Sequence, residues 1–346
     1  MDLGAGKRAA PPNLLHVAQH AGVSTATVSN VINHPEKVAA PTLARVRASI
    51  VELGFSLNQN AQSLKAGASK TFGLVLFDLT NSFFVDVARG AQRTARDSRF
   101  HLQLGSSDNS VAEQDEHVAF FDRSRVAGII LTPMFDPAET ISIARRHARP
   151  VVVVNYSLPD DSACSVVVDN ELAGYMAMRH LIGLGCTRVA FVAGRWNLQP
   201  VQFRHAGAVR AVAETNGAVT MTIIETEDNL DPPGGARAAR SLLDLDPADR
   251  PDGILGVTDL LAMSIIGELT NAGISVPGDV RVMGCDYNAV AWGGNVPVSS
   301  IALRGEELGE IAVQLLIEEL ANDPDHVHRQ VVLQPTLVVR ESTVGR

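Results

Sequence analysis

Lysine disappears from this 346-residue chain after Lys70, although 22 arginines and 35 acidic residues follow it. Cysteine is scarce as well: Cys164, Cys186 and Cys285 stand far apart, with no CxxC pair. So sparse and odd a set excludes a disulfide framework and points to reduced thiols in the cytoplasm. No apolar run reaches the roughly 18 residues that suggest a membrane span. The opening residues, MDLGAGKRAAPP, carry no apolar signal core, which argues against export. Catalytic signatures are missing too: GxSxG and HExxH do not occur, and no strand-like segment is followed by GxGxxG. GAGK at residues 4–7 lacks the preceding strand and the following Ser or Thr of a phosphate loop. His326 and His328 could bind metal at the surface but read rather as a solvated loop, and the ten histidines show no ligand spacing with the cysteines. Neither a metal nor another cofactor is expected.

What remains is an ordinary globular composition, 46% hydrophobic and 19% charged, long enough for two or three domains. Its charge is split. Residues 1–70 hold seven Lys and Arg against three acids, whereas the rest is strongly acidic. A small basic head on an acidic body suits a chain whose head alone touches phosphate.

Within that head, HVAQHAGVSTATVSNVIN (residues 16–33) has the pattern of two short helices around a tight turn. Leu14, Val17 and Ala18 mark one apolar face, and Val28, Val31 and Ile32 the other, at spacings of three and four. Gly22 falls at the turn, and Ser24 is placed to cap the second helix. Thr25, Ala26, Thr27 and Asn30 then occupy its start and outer face. A helix facing only solvent would carry Lys, Glu or Arg there. Small polar side chains instead allow close approach to base edges in a major groove. A third helix is expected from Pro41-Thr42 to Leu53, with Leu43, Val46, Ile50 and Leu53 inward and Gly54 ending it. NQNAQSLKAG (58–67) follows as a polar linker able to form a marginal helix, with Leu64 its one large apolar residue. Leu64 is either a packing contact or a wedge for a base step.

From Phe72 onward, strand-like and helix-like segments alternate. FGLVLF (72–77), HLQLGSS, AGIILT (127–132) and PVVVVN (150–155) form a first set. SVVVD (165–169), RVAFVAG (188–194), TMTIIE (220–225), DGILGV (252–257) and VRVMGC (280–285) form a second. Such alternation predicts two parallel sheets with helical crossovers. A helix over 305–321 and segments near 330–333 and 336–340 could return the chain to each subdomain in turn. Ligands bind beyond the carboxyl ends of parallel strands. Those ends carry Asp78, Asn81, Thr132, Asn155, Arg195–Arg204, Thr258-Asp259 and Cys285-Asp286. Fixed carboxylates, amides and guanidinium forks are what polyol recognition needs, although Asp and Asn at loop ends also serve as turn formers and caps.

These motifs, in this order, resemble the lactose-repressor (LacI/GalR) family of bacterial transcription repressors. The resemblance runs from Asn13 through GLVLFDLTNSFF, VVVDNELAGYMAMRHLIGLGCTRVAFVAG, VTDLLAMS and VMGCDYN. It implies an α/β protein: a three-helix helix-turn-helix head (1–57), a hinge and linker (58–70), and a periplasmic-binding-protein-like body (71–346). The body would comprise two doubly wound parallel-sheet subdomains, about 71–165 with 302–325 and about 166–301 with 326–346. By the same resemblance, Thr25 and Ala26 take the main base-reading positions and Asn30 stands where arginine is frequent. Asn13 takes a cap position from which phosphate is often contacted, while His16 replaces a frequent acid and Leu15 a frequent tyrosine. Ser24, Thr27, Asn33, Asn58 and Ala61 complete the expected DNA-binding set, with Leu64 as a minor-groove leucine inserted by paired hinges. In the body, Arg204 matches a sugar-clamping arginine and Asp286 a hydroxyl-binding aspartate. Phe77, Asp78, Asn155 and Thr258 match lining positions, and Trp196 or Phe84 is the candidate stacking ring. The implied partners are a pseudo-palindromic double-stranded operator, a small sugar-like effector and a second copy of the chain, with no membrane. Two rival readings are a sugar-binding module without a DNA role, which the basic head opposes, and an alternating α/β enzyme, which would turn its ligand over.

Overall fold

The computed structural model describes residues 12–55, 69–226, 230–287, 296–321 and 323–345. The chain divides into two units, Met1–Ala68 and Ser69–Arg346. In the first, α1 (Leu14–Ala21), α2 (Thr25–Asn33) and α3 (Ala40–Glu52) pack around buried Val17, Ala18, Ala21, Val28, Val31 and Val46. These are the residues at three- and four-residue spacing in the sequence. The third helix buries less than its stripe suggested: Val46 and Ser49 are buried, while Leu43, Ile50 and Leu53 are only partly so. Gly22 closes α1 with φ 64° and ψ 42°, the left-handed region where a side chain is disfavoured.

The second unit contains two six-stranded sheets. The first holds β1 (Thr71–Leu76), β2 (His101–Ser106), β3 (Gly128–Leu131), β4 (Val151–Val154), β5 (Cys164–Val168) and β11 (Gln330–Leu333). The second holds β6 (Arg188–Ala193), β7 (Thr220–Glu225), β8 (Gly253–Gly256), β9 (Arg281–Cys285), β10 (Ser299–Ala302) and β12 (Thr336–Val338). The strand orders are β2-β1-β3-β4-β5-β11 and β7-β6-β8-β9-β10-β12, the same winding twice. Central strands such as GIIL and VVVV are buried throughout, as strands covered on both faces must be. The outer strand TMTIIE is largely exposed.

Helices α4 (Ser82–Asp97), α5 (Val111–Arg123) and α6 (Ala138–Arg146) connect the first strands of the first sheet. Helices α7 (Asn170–Gly183), α8 (Gln199–Ala213), α9 (Pro232–Leu243) and α10 (Asp259–Asn271) serve the second. Helix α11 (Gly305–Leu320) returns to pack on β3, β4 and β5, and a short α12 (Glu341–Val344) covers β9 and β10. No helix among the described residues is long and apolar enough to cross a membrane.

Four features differ from the sequence reading. Segment 164–168 belongs to the first sheet, paired with β4 and β11, so the subdomain division at 165/166 is corrected. The connection from β4 to β5 contains no helix, which broke the strand–helix rhythm, and the next helix, α7, packs on the second sheet. Residues 330–333 likewise lie in the first sheet, as β11, rather than in the second subdomain expected for 326–346. Strand β10 was missed because SSIA is polar. Its serines are nevertheless fully buried, with the Ser300 hydroxyl donating to Asp259 Oδ2 at 2.8 Å. Finally, β12 runs antiparallel to β10. The two sheets face each other through their strand carboxyl ends, so β12, reached from the carboxyl end of β11 with no helix between, enters the second sheet running in reverse.

Candidate functional site

The head presents a compact polar edge. Ser24 caps α2, its Oγ accepting from the Thr27 N–H at 3.1 Å and contacting the Thr27 hydroxyl at 2.9 Å. With the Thr27 amide of the first turn of α2 satisfied by this cap, Ser24, Thr25, Ala26, Asn30 and Asn33 remain exposed and Thr27 half-buried. The Asn33 amide leans back onto its own helix, donating to the Ser29 carbonyl at 3.0 Å. At α1, the Asn13 side chain accepts from the His16 N–H, while His16 Nδ1 accepts from the Asn13 N–H, both at 3.1 Å. An imidazole here performs the reciprocal bond usually made by a Glu or Gln. The frequent acid at position 16 is therefore replaced without loss of the cap. Asn58, Ala61 and Leu64 lie outside the described residues.

In the body, the reversal in winding places crevices between β1 and β3 and between β6 and β8. The chain leaves these strands at Phe77-Asp78, Thr132, Trp196 and Thr258. Beside the exit of β8 lies Arg204, buried on α8. Its Nε donates to Asn170 Oδ1 at 2.9 Å, and Nη1 donates to the Val257 carbonyl at 2.6 Å and to Asp286 Oδ1 at 3.2 Å. Nη2 makes no hydrogen bond with the described residues. Two backbone contacts fix this guanidinium from behind. A Cβ at Gly174 would stand 1.8 Å from the Arg204 carbonyl oxygen, and one at Gly207 would stand 1.9 Å from that of Glu171. Helices α7 and α8 touch there through bare backbone.

Asp286 follows β9 with φ 109°, an uncommon conformation for a residue with a Cβ. Its N–H donates to the Ile301 carbonyl at 3.0 Å, and Oδ2 accepts from Asn81 Nδ2 at 3.0 Å. Asn81 also caps α4, its Oδ1 accepting from the Phe83 N–H at 2.9 Å, which aims its amide nitrogen at Asp286. This contact joins the two subdomains. A second bridge joins Ser157 and Gln199: Ser157 N–H donates to Gln199 Oε1 at 2.6 Å, and Gln199 Nε2 donates to the Ser157 carbonyl at 3.0 Å. Burial pushes the Asp286 carboxyl up to about 6, against the pull of Arg204 and the Asn81 hydrogen bond. Burial also opposes the Arg204 charge, but Cys285, Asp286 and Asp259 outweigh it and hold the guanidinium above its usual range.

Of the effector residues expected from the sequence, the structure joins Arg204 to Asp286 directly. Asn155, with φ 60°, accepts from Asn170 Nδ2 at 3.4 Å and so adjoins the same network. Thr258 is buried and caps α10, its hydroxyl accepting from the Leu261 N–H at 3.3 Å. The remaining three have other engagements. The Asp78 carboxylate accepts from the Thr80 N–H and hydroxyl, both at 2.7 Å. Phe77 lies 5.6 Å from the Phe84 ring, and the Trp196 N–H donates to Glu225 Oε1 at 3.1 Å. Trp196 also packs edge-on against His205 at 5.1 Å. Asn170, buried in the structure, was missed, although its place directly after SVVVD, at the carboxyl end of a strand, was an available signal. Gln199 and Ser157 had none, because each is meaningful only through the other.

Comparison with known proteins gives a consistent picture. The pattern described as "Bacterial regulatory proteins, lacI family" matches residues 13–58, and a periplasmic binding protein-like domain matches 178–343. A relative named HTH-type transcriptional repressor PurR, from Vibrio campbellii, is 30% identical over 328 residues, covering 94% of this chain and 97% of its own. A solved transcriptional regulator CelR–cellobiose complex is 25% identical with a TM-score of 0.70, covering 96% of this chain and 99% of that one. The Lac repressor dimer bound to operator has the same fold, with a TM-score of 0.81 at 22% identity, covering 97% of this chain and 100% of that one.

Proposed function

This chain belongs to the lacI family of bacterial regulatory proteins and is a DNA-binding transcriptional repressor; from that premise we propose how it reads DNA and what controls it. Two copies bind as a homodimer, and each head offers Ser24, Thr25, Ala26, Thr27 and Asn30 to the bases of one half of a pseudo-palindrome. Asn13 and Asn33 face phosphate. The supporting observation is the exposed edge at the start of α2, small enough for close approach and free of long charged side chains. Asn58, Ala61 and Leu64 of the hinge add minor-groove contacts.

The effector is a small hydroxyl-rich molecule held in the cleft, with Arg204 Nη2 and the Asp286 carboxylate as its principal polar partners. Phe77, Asp78, Asn155, Trp196 and Thr258 line the same cleft. The carrying observation is the buried pair of Arg204, on α8, and Asp286, at the end of β9, with Asp286 tied to the opposite subdomain through Asn81. A ligand that competes for Asp286 changes that bridge, and with it the angle between subdomains. A coupling of about 1–3 kcal/mol would alter operator occupancy roughly 5- to 150-fold.

The test has two arms. Selection of bound sequences from a random duplex pool by the full chain should return a two-fold-related motif, and residues 69–346 alone should not retard it. Leu64→Ala should weaken that motif far more than random duplex. A thermal-shift screen with sugars, sugar phosphates and nucleosides should give a hit that Arg204→Ala and Asp286→Ala abolish. Retained operator binding by the isolated body, or a ligand consumed with turnover, would overturn this reading.

A further inference from the structure

Away from the cleft, three segments meet at the opposite, amino-terminal end of β5. Cys164 is the first residue of that strand and is fully buried. Strand β11 runs parallel beside it with Gln330 opposite Ser165, and the Ser165 N–H donates to the Arg329 carbonyl at 3.0 Å. The residues entering β11 therefore lie next to Cys164. In an extended chain, alternate side chains share a side. His326 and His328 both turn inward, while Val327 between them is 72% exposed. Glu319, in the last turn of α11, supplies the fourth group.

The ligand atoms of Cys164, Glu319, His326 and His328 all lie within 4.8 Å of one another. Cys164 Sγ is 3.5 Å from His326 Nε2 and 3.7 Å from His328 Nδ1, and His328 Nδ1 is 3.6 Å from Glu319 Oε1. A tetrahedral zinc ion with bonds of about 2.0–2.3 Å spaces its ligands roughly 3.3–3.8 Å apart. The Glu319 side chain is only 10% exposed, and its Oε1 is buried without a hydrogen-bond partner among the described residues. A carboxylate oxygen left in that state is costly unless something positive meets it.

We propose that Cys164, Glu319, His326 and His328 bind a zinc ion, which pins the segment entering β11 to β5 and α11. One sulfur, two imidazole nitrogens and one carboxylate form a donor set suited to zinc, and four protein ligands leave no open position, as in structural sites. Of the two sequence readings of His326 and His328, a solvated loop and a surface metal site, the proposal takes the second, on the observation that both side chains are partly buried. Sequence separations of about 160 residues hid the grouping, which β11 joining β5 creates. Arg145, exposed on α6, donates to His328 Nε2 in this structure. Metal at Nδ1 places the ring hydrogen on Nε2, so Arg145 must release it.

The experiment uses the full-length protein, freed of metal with a chelator and titrated separately with Zn²⁺ and Co²⁺. The expected result is one ion per chain, a rise in melting temperature, and a thiolate-to-cobalt charge-transfer band. That band should vanish in Cys164→Ser and persist in Cys186→Ser. Because Cys164 is buried, His326→Ala, in the exposed segment, provides a second variant. It should keep its circular dichroism spectrum yet bind zinc at least roughly tenfold more weakly, since even outer-shell partners contribute 10–100-fold. Arg145→Ala should bind more tightly. Absence of the band in the unaltered protein, its survival in Cys164→Ser, or unchanged zinc affinity in His326→Ala would overturn the proposal.

Discussion

Arg204 and Asp286 illustrate how a single buried pair is tuned by its surroundings. Burial disfavours both charges, and each is retained through specific partners: Asn170 and the Val257 carbonyl for the guanidinium, Asn81 for the carboxylate. Removing one partner of such a pair costs about 3–5 kcal/mol, because the other charge is left buried. Arg204→Ala should therefore lower stability by about that amount in urea denaturation at pH 8. The loss should be smaller at pH 5, where Asp286, already pushed up to about 6, takes a proton. In the native protein the same raised value has a definite sign. Between its ordinary value near 3.8 and about 6, folded Asp286 holds a proton that the unfolded chain has released. Its contribution to stability is complete below that window and is lost as pH rises through about 6. Subtracting the Asp286→Asn stability–pH curve from that of the unaltered protein should expose a slope of at most about 1.4 kcal/mol per pH unit there. No such slope would show that Asp286 titrates normally.

At the scale of elements, two contacts set the positions of functional side chains. Helices α7 and α8 meet at Gly174 and Gly207 so closely that a methyl group must separate them. Gly174→Ala should destabilise the body by about 1–3 kcal/mol, the usual range for overpacking. It should also weaken effector binding, since the obstructing atom is the Arg204 carbonyl itself. Calorimetry on the variant that shows lost stability with full affinity would separate these two roles. In the head, Ser24→Ala removes the cap of α2 and should cost about 1 kcal/mol of head stability. Ser24→Asp should restore the cap while adding a negative charge, so operator affinity should remain low although melting recovers.

Across the whole body, the chain passes between the sheets near 169, 303–304 and 334–335, and the two sides also meet at Asn81–Asp286 and Ser157–Gln199. These side-chain bridges favour the closed arrangement. Asn81→Ala with Gln199→Ala should shift the effector-free body toward a more open form, read as a larger radius of gyration in small-angle scattering. Effector affinity should fall because closure must then be achieved by the ligand alone. An unchanged radius and affinity would assign both bridges a purely local role. The basic head adds a further expectation: operator binding should fall steeply with salt, as counterions released by its Lys and Arg return to the phosphates.

Local pattern alone determined much of this protein. Three- and four-residue spacing set the helices of the head, Ser24 its cap and Gly22 its turn, while runs such as VVVV and GIIL marked strands buried on both faces. Those features depend on residues a few positions apart, where chain geometry converts sequence directly into neighbours. Tertiary structure decided the rest. SSIA became a central strand because Asp259, 41 positions from Ser300, receives its hydroxyl. SVVVD joined the first sheet because β11, arriving from the far end of the chain, pairs with it. The Asn170–Arg204–Asp286–Asn81 network and the Cys164–Glu319–His326–His328 grouping arise in the same way. Spacing could not display them, because a parallel sheet brings together residues whose separation is set by the helices and loops between its strands.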